Sequence, residues 1–306
     1  MNKKKIFIDG REGTTGLGIV SRLDNRSDIE LLVLSEEKRK DPEARKEAIN
    51  KSDITILCLP DSAAIESVSL CENEKTVILD ASTAHRTAEG WVYGLPELSP
   101  EQKEKICRSK RIAVPGCHAS GFISLVAPLV KEGFIEKNAL LCCHSITGYS
   151  GGGKKMIAQY ESPEREEKLS APRQYGLTQS HKHLPEMLHI TGLSEAPVFC
   201  PIVSDFYSGM LVTVPLFKSM LKNGKTADDI RELYKKLYDG SMNIEYTEEM
   251  AQGGFADSNA LSRTDKMEIS VSGNDDRILL LARYDNLGKG ASGATVQCLD
   301  LVLKNM

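Results

Sequence analysis

Near the start of the chain stands the stretch Lys5-Ile6-Phe7-Ile8-Asp9-Gly10-Arg11-Glu12-Gly13-Thr14-Thr15-Gly16, which decides the fold prediction. Residues 5–9 are mostly apolar and predict a short buried strand. Residues 10–16 contain three glycines and predict a tight turn, and apolar residues at helical spacing over 17–23 predict a helix behind it. A strand that passes through a glycine-rich turn into a helix indicates the first half of a βαβ unit.

The glycine-rich turn is also a candidate phosphate-binding site. Glycines allow the backbone to come close to a pyrophosphate, and the start of the next helix supplies N–H donors and positive potential. The candidate contacts are Gly10, Gly13 and Gly16, with the hydroxyls of Thr14 and Thr15 as further donors. Because the spacing is GxxGxxG and not the common GxGxxG, a plain tight turn is the alternative interpretation.

The alternation of apolar strands and helical segments continues through the first third of the chain. It predicts a Rossmann-type, doubly wound parallel sheet with helices on both faces. The predicted strands are 5–9, 29–34, 54–59 and 76–80, and the predicted helices are 17–23, 41–50 and 61–70.

The charged segment after the second strand bears on which dinucleotide binds. In this fold an acidic residue there binds a ribose 2′-hydroxyl, whereas a basic residue accepts a 2′-phosphate. Ser35, Lys38 and Arg39 favour the phosphorylated cofactor, while Glu36 favours the other one. Lys40 is interpreted as a solvated charge.

Two candidate contacts follow the fourth strand, at the sheet edge where ligands of open α/β sheets bind. Ser82 is a candidate contact to cofactor or substrate, and Arg86 is a candidate fork for a carboxylate or phosphate. For Arg86, a role that only caps a helix is the alternative.

A cysteine stands at a second strand-to-helix transition, Val114-Pro115-Gly116-Cys117. A buried strand ends before it, and apolar residues at helical spacing follow it, so Cys117 is predicted at the start of a helix. A helix N-terminus stabilises the thiolate and lowers the thiol pKa from its usual value of about 8.5. Cys117 is therefore a candidate nucleophile, and a buried, inert cysteine is the alternative.

His181, His183 and Glu186 are the candidate partners for a reactive cysteine. A thiolate nucleophile needs a nearby acid or base that a third group orients. In extended chain the two histidines share one face, so spacing alone does not choose between them. Around them, the chain from about residue 135 predicts a mixed, largely antiparallel sheet. Its predicted strands are 139–147, 210–217, 242–246, 267–272 and 278–284, with helices over 226–238 and 290–303.

Composition excludes several classes of protein. A net charge of −4 gives no electrostatic basis for binding nucleic acid or a membrane surface. The eight cysteines are scattered without a CxxC pair, so no metal site is predicted. No stretch is long enough to span a bilayer, and the basic segment 1–10 has too short an apolar run for a signal peptide. A cytoplasmic protein with reduced thiols is expected.

Taken in order, these motifs resemble N-acetyl-gamma-glutamyl-phosphate reductases of the shorter sequence type, within the aspartate-semialdehyde dehydrogenase-like superfamily. The similarity covers nearly the whole chain, and the order of the motifs is more specific than any single one. The matching segments are 9–16, Leu59-Pro60-Asp61, 79–86, 93–98, Pro115-Gly116-Cys117, 147–153, 181–186, 285–287 and 289–293.

The resemblance implies a fold, a reaction and a cofactor. The implied domains are an NADP-binding Rossmann domain over 1–116 with 286–306, and an α+β catalytic and oligomerisation domain over 117–285. The latter is of the glyceraldehyde-3-phosphate dehydrogenase-like C-terminal type. The implied reaction is the NADPH-dependent reduction of N-acetyl-L-glutamyl 5-phosphate to the 5-semialdehyde, with phosphate release, in arginine biosynthesis. A homo-oligomer, dimer or tetramer, is implied.

The resemblance also assigns roles to residues. Cys117 is implied as the nucleophile that forms a thioester, and His181 as the acid/base with Glu186 nearby. Arg86 and Arg173 are the candidates to hold the substrate carboxylate, and His183 is a further candidate substrate contact. The remaining implied cofactor contacts are Pro60, Ser150, Gly151 and Asn286.

Three other functions stay open at this point. An aspartate-semialdehyde dehydrogenase is the near alternative. A regulator that binds NADPH without turnover, and a thiol hydrolase built on Cys117 and His181, are the others, although the hydrolase would leave the glycine-rich turn without a role.

Overall fold

The computed structural model describes residues 3–306, and the first two residues of the expected domain 1–116 lie outside the described residues. The chain forms two compact units. The first consists of residues 3–96 with Glu101–Pro115 and Ala291–Met306, and the second of Glu97–Pro100 with Gly116–Gly290. Among residues 3–306 there is no helix that is long and apolar enough to cross a membrane.

A sheet with flanking helices forms the first unit, as the alternating pattern predicts. Its strands are β1 (Lys4–Asp9), β2 (Ile29–Leu32), β3 (Ile54–Leu57), β4 (Val77–Asp80), β5 (Val92–Tyr93) and β6 (Arg111–Ala113). The helices of this part of the chain are α1 (Thr14–Leu23), α2 (Pro42–Lys51), α3 (Asp61–Ser69) and α4 (Pro100–Arg108).

The order of this sheet is β2-β1-β3-β4-β6-β5, and every neighbouring pair runs parallel. The predicted Rossmann-type sheet is therefore confirmed. Its central strands are buried on both faces, and all four residues of β3 are buried, including Thr55. Helix α2 begins as the sequence suggests, because the Asp41 side chain accepts from the Glu43 N–H and Pro42 occupies the first turn.

Some predicted boundaries were wrong. Strands β2 and β3 each end two residues early, because their pairing with β1 stops at Leu32 and Leu57. Helix α1 begins at Thr14, three residues earlier than the first apolar residue indicates. The short strand β5 was not predicted, since two residues carry no periodic signal.

The second unit contains helices and a larger sheet. Its helices are α5 (Cys117–Lys131), α6 (Gly153–Glu161), α7 (Leu184–Thr191) and α8 (Ala227–Tyr238). Its strands are β7 (Cys142–Gly148), β8 (Arg173–Gln174), β9 (Val198–Ser204), β10 (Met210–Phe217), β11 (Ile244–Tyr246), β12 (Met267–Gly273) and β13 (Arg277–Tyr284).

This seven-stranded sheet has the order β11-β12-β13-β10-β7-β9-β8. Two of its pairs, β11–β12 and β7–β9, are parallel and the other four are antiparallel, so the predicted mixed sheet is confirmed. Strand β9 was missed because Pro201 interrupts its pattern. Helix α5 packs on β10 and β13, and a Cβ at Gly121 would come within 2.7 Å of the Tyr284 hydroxyl. Only glycine allows so close an approach.

The last helix of the chain, α9 (Gly293–Leu303), belongs to the first unit. Its apolar side, including Cys298 and Leu299, is fully buried in the same core as Ile6 and Ile54. A salt bridge between Arg26 and Asp300 ties it to the turn after α1.

Candidate active site

In the first unit, a cavity of about 540 Å³ lies at the carboxyl ends of β1, β2 and β3. The order of strands in the sheet reverses between β1 and β3, which is where open α/β sheets bind their ligands. The walls of the cavity are the glycine-rich turn from Gly10 to Gly13, residues 32–34, and Cys58 to Pro60.

The turn fits a bound pyrophosphate. Gly10 has φ +83°, and a Cβ there would lie 2.4 Å from the Cys58 carbonyl oxygen. At Gly16 a Cβ would lie 2.6 Å from the Gly10 oxygen. Only glycine at this position allows the backbone of the turn to pack this closely against the first turn of α1. Within the described part of the chain, the buried Oγ1 of Thr14 has no hydrogen-bond partner, and the Nε of Arg11 has only a 3.5 Å ion-pair contact with the Glu12 carboxylate. Buried polar atoms are normally satisfied, and a phosphate at this helix N-terminus would satisfy both.

The segment that follows β2 forms an exposed turn beside this cavity. The backbone oxygen of Ser35 accepts hydrogen bonds from the N–H groups of Lys38 and Arg39, which closes the turn. Glu36, Arg39 and Lys40 line the cavity, and the Arg39 guanidinium lies 3.3 Å from the Glu36 carboxylate. Lys40 is exposed, in agreement with its interpretation as a solvated charge, and it also lines the cavity.

The other candidates of the first unit lie at the ends of β3 and β4. Pro60 stands at the start of α3 and lines the cavity. Ser82 bonds through its N–H and hydroxyl to Asp80, which also contacts His85 Nδ1 at 2.6 Å.

Arg86 is buried in the first unit. It donates from Nε to the Val114 oxygen at 2.9 Å and from a terminal nitrogen to the Ala81 oxygen at 3.2 Å. These bonds tie the ends of two neighbouring strands together, because Ala81 follows β4 and Val114 follows β6. Arg86 therefore has a structural role, which differs from the predicted role of binding a ligand carboxylate or phosphate.

In the second unit, Cys117 is the first residue of α5 and is partly exposed, with Gly116 at the N-cap. Tyr284 holds this turn, because its hydroxyl donates to the Cys117 oxygen at 2.5 Å and accepts from the Gly121 N–H at 3.0 Å. A Cβ at Gly290 would lie 3.0 Å from the Cys117 Cβ, so the backbone passes directly beside the cysteine.

Other cysteines lie in settings that disfavour the thiolate. Burial, with Asp80 and Asp9 adding to it, raises the pKa of Cys58 to about 12. Burial also raises the pKa of Cys143. No disulfide joins any of the eight cysteines, all of which lie among the described residues.

His181 and His183 lie together, with ring centroids 4.7 Å apart. His181 is partly exposed, and its Nδ1 accepts the His183 N–H at 3.2 Å. The neutral His181 ring therefore carries its proton on Nε2. His183 is 5% exposed and lies at the start of α7, where Pro185 occupies the first turn as predicted.

Glu186 is buried and lies beside the nucleophile turn. Its Oε2 accepts the Gly116 N–H at 3.1 Å, and its Oε1 is 4.0 Å from His183 Nε2. Glu186 thus contacts the residue before Cys117, a bond that sequence spacing does not reveal.

A third histidine belongs to this group, and sequence reasoning missed it. The centroid of the His118 ring lies 5.8 Å from that of His181 and 5.5 Å from that of His183. Its Nε2 bonds to the Tyr175 hydroxyl at 2.7 Å. Its position directly after Cys117 was the signal that could have identified it.

In the second unit, Ser150 and Asn286 are buried, and the exposed Gly151 adjoins them. The Asn286 side chain donates to Ser150 Oγ at 3.0 Å and accepts the Gly209 N–H at 2.9 Å. A Cβ on Gly151 would lie 3.2 Å from the Asn286 amide nitrogen.

Arg173, on strand β8, has a nitrogen available for a ligand. It donates to the Tyr160 hydroxyl at 3.1 Å and lies over the Tyr160 ring. Its buried Nε has no hydrogen-bond partner among residues 3–306. Within the same residues, no three His, Cys, Asp or Glu side chains are grouped to hold a metal ion.

Comparison with known proteins defines the class first. Residues 5–106 match the family model described as semialdehyde dehydrogenase, NAD binding domain, and residues 117–286 match its dimerisation domain. The fold is similar to aspartate semialdehyde dehydrogenase II complexed with ASA from Vibrio cholerae, with a TM-score of 0.75, 14% identity, and coverage of 100% of this chain and 99% of that one. It is also similar to the Candida albicans enzyme with NADP, at a TM-score of 0.68, 12% identity and 99% coverage of both chains. The chain thus has the semialdehyde dehydrogenase fold.

Curated relatives narrow the class to one family. N-acetyl-gamma-glutamyl-phosphate reductase 2 from Nostoc sp. is 44% identical, over 99% of this chain and 98% of its own length. The N-acetyl-gamma-glutamyl-phosphate reductase from Chelativorans sp. is 45% identical over 99% of both. The chain belongs to the N-acetyl-gamma-glutamyl-phosphate reductase family, so the family prediction is confirmed.

Proposed function

We propose that this chain reduces N-acetyl-L-glutamyl 5-phosphate to N-acetyl-L-glutamate 5-semialdehyde with NADPH and releases phosphate, as a step of arginine biosynthesis. The observation that carries the chemistry is Cys117 at the start of α5, followed directly by His118, whose ring centroid lies 5.8 Å from that of His181 and 5.5 Å from that of His183. Family membership supports the acyl group, which no single contact identifies.

In this mechanism the Cys117 thiolate attacks the acyl carbon, and the carbon–oxygen bond to phosphate breaks. The product of that step is a thioester on Cys117 together with inorganic phosphate. The N-terminus of α5 stabilises the thiolate before attack. His181 is the proposed group that moves protons on the thiol and the hemiacetal oxygen, and the His183 N–H, which donates to its Nδ1, orients the ring.

NADPH, when bound, supplies the hydride that reduces the thioester. The residues that fit its pyrophosphate are Gly10, Gly13, Gly16, Thr14 and Thr15, around the unbonded Thr14 hydroxyl and the Arg11 Nε of the turn. Arg39 and Lys40 line the same cavity and suit a 2′-phosphate, with Lys38 and Ser35 in the adjoining turn. Roles for Pro60, Ser82, Ser150, Gly151 and Asn286 at the cofactor stay predictions.

For the substrate carboxylate, the contacts favour Arg173 over Arg86. Arg173 retains a buried Nε–H without a partner among the described residues, whereas Arg86 donates to two backbone carbonyls. Glu186 acts as a positioning residue, because it holds the Gly116 N–H next to the nucleophile. A direct substrate contact by His183 stays a prediction.

A second copy of the chain is the proposed partner. The outer face of the seven-stranded sheet carries apolar side chains that remain exposed, including Val198 at 55%, Phe217 at 63% and Leu279 at 39%. Pro215 pairs with Leu279 on this face, and Phe217 lies two residues further along the same strand, so these three apolar residues adjoin one another. The match to a dimerisation domain over this segment supports a dimer built on this face. The division of the chain at 116/117 and 285/286, and a cytoplasmic location, stay predictions.

The test of the proposed function follows the reaction in reverse. The purified chain is given N-acetyl-glutamate semialdehyde, phosphate and NADP, and the nicotinamide absorbance is recorded. Phosphate-dependent reduction of NADP is expected. A regulator would bind NADPH without phosphate-dependent turnover, and a hydrolase would act without the cofactor, so either result contradicts the proposal. Aspartate semialdehyde as the preferred substrate would indicate the near alternative.

A further inference from the structure

His118 occupies the centre of the histidine group although the mechanism above does not use it. It is 3% exposed, and both ring nitrogens are bonded, Nδ1 to Ser145 Oγ at 2.6 Å and Nε2 to the Tyr175 hydroxyl at 2.7 Å. The His181 and His183 rings pack against it, His181 nearly perpendicular at 85°. One side chain of the nucleophile helix therefore lies against both other histidine rings and bonds to Tyr175.

The bonding of His118 excludes it as the base itself. Both ring nitrogens are engaged by protein hydroxyls, and burial, with the charge of His181 second, lowers the pKa of His118 to about 3. A neutral His118 does not compete for the proton that His181 transfers. A charged imidazole there would oppose the charge that His181 acquires when it takes up a proton.

Tyr175 is the second member of this arrangement. Its N–H donates to the Pro201 oxygen at 3.0 Å, which fixes its backbone against β9. The negative charge of Cys117 adds to burial in raising its phenol pKa, so the hydroxyl stays protonated. The orientation of that hydroxyl depends on the bond to His118 Nε2.

We propose that His118 is a positioning residue for the acid/base step: its Nε2 fixes the Tyr175 hydroxyl, and its ring, packed against that of His181, fixes the orientation of His181. The inference rests on the proposed roles of Cys117 and His181. It assigns the residue after the nucleophile a role that is distinct from forming the helix.

Two substitutions distinguish the roles of the two ring nitrogens of His118. In His118→Asn the amide can replace Nδ1 toward Ser145 but is too short to reach Tyr175. In His118→Gln the amide can replace Nε2 toward Tyr175. We expect His118→Asn to lower kcat by roughly 10²-fold, the usual effect of a small misplacement of reacting groups, and His118→Gln to lower it clearly less.

Tyr175→Phe completes a double-mutant cycle. If His118 acts through Tyr175, Tyr175→Phe should resemble His118→Asn, and the double variant should be no slower than the slower single variant. KM for phosphate should change little, while the limb of the kcat/KM pH profile that reports His181 should shift in His118→Asn. A purely structural role would lower the melting temperature without moving that limb.

His189→Asn is the matched control, because His189 is an exposed histidine on α7. The inference is overturned if His118→Asn behaves like this control, if Asn and Gln are equally slow, or if the effects of His118→Asn and Tyr175→Phe multiply. If His118→Asn does not fold, Tyr175→Phe serves instead, and a pH profile of that variant like that of the unmodified chain also overturns the inference. Absence of phosphate-dependent turnover in the unmodified chain would instead refute the proposed function.

Discussion

At the scale of single residues, Cys117 differs from the other thiols by its surroundings. It is partly exposed at a helix N-terminus, whereas Cys58 and Cys143 lie where burial raises the thiol pKa. The thiolate is the reactive form of cysteine, so these surroundings decide which thiol reacts.

Brief treatment with iodoacetamide near neutral pH should therefore label Cys117 first, as peptide mass mapping would show. Activity should fall in step with the label, and saturating acyl phosphate should slow both. Cys117→Ser should still bind NADPH but form no thioester. Labelling of another cysteine first with activity retained, or near-normal turnover in Cys117→Ser, would refute the covalent mechanism.

His181→Asn should lower turnover by roughly two to four orders of magnitude, the usual effect of losing a positioned acid/base. The same change at His183 should have a smaller effect, because His183 is more deeply buried than His181. Steady-state kinetics of both variants give the comparison. A larger loss at His183 would transfer the acid/base role to that residue.

At the scale of elements, the turn between β2 and α2 concentrates the basic residues beside the nucleotide cavity. Arg39 forms a salt bridge with Glu36. Because both side chains are exposed, this pair contributes little to stability. Its guanidinium can therefore exchange the carboxylate for a phosphate at small cost.

Replacing Lys38 and Arg39 together by Ala should weaken NADPH binding by far more than NADH binding, since charge-assisted bonds to the 2′-phosphate are lost. Fluorescence titration with each cofactor measures the difference. Lys40→Ala, tested in parallel, shows whether the residue that lines the cavity shares the role. Equal weakening of both cofactors would make these residues surface charges and leave the choice to Ser35 or the backbone.

At the scale of the whole molecule, burial of polar and apolar groups determines how the chain responds to pH and to association. His118 takes up a proton near pH 6.5 in the unfolded chain but stays neutral to about pH 3 in the fold. Because the unfolded state binds more protons in that interval, the free energy of unfolding falls as the pH falls through it.

This histidine should lower the free energy of unfolding by about 2 kcal/mol between about pH 7 and about pH 5. Urea denaturation at several pH values measures the slope. His118→Gln cannot titrate, so its curve should be flatter over the same interval. Parallel curves for the two proteins would show that His118 is not the group responsible.

Leu279→Asp, on the outer face of the larger sheet, should reduce the mass in sedimentation experiments to that of a single chain, because a charge would be buried in the proposed interface. Ile65→Asp, on the exposed side of α3 in the first unit, is the control. An unchanged mass for Leu279→Asp, with circular dichroism like that of the unmodified chain, would exclude this face as the dimer interface.

The amino-acid sequence by itself determined the periodic features of this protein. The glycine-rich turn, the alternation of strands and helices and the placement of Cys117 at a helix start all depend on neighbours along the chain, so local spacing was sufficient to predict them. Tertiary structure decided which distant groups meet: Glu186 at Gly116, Lys40 at the cavity, Arg86 on two carbonyls and His118 between Tyr175 and His181. Such contacts join residues up to 70 positions apart. They follow from how helices pack on a sheet, which no local pattern of residues encodes.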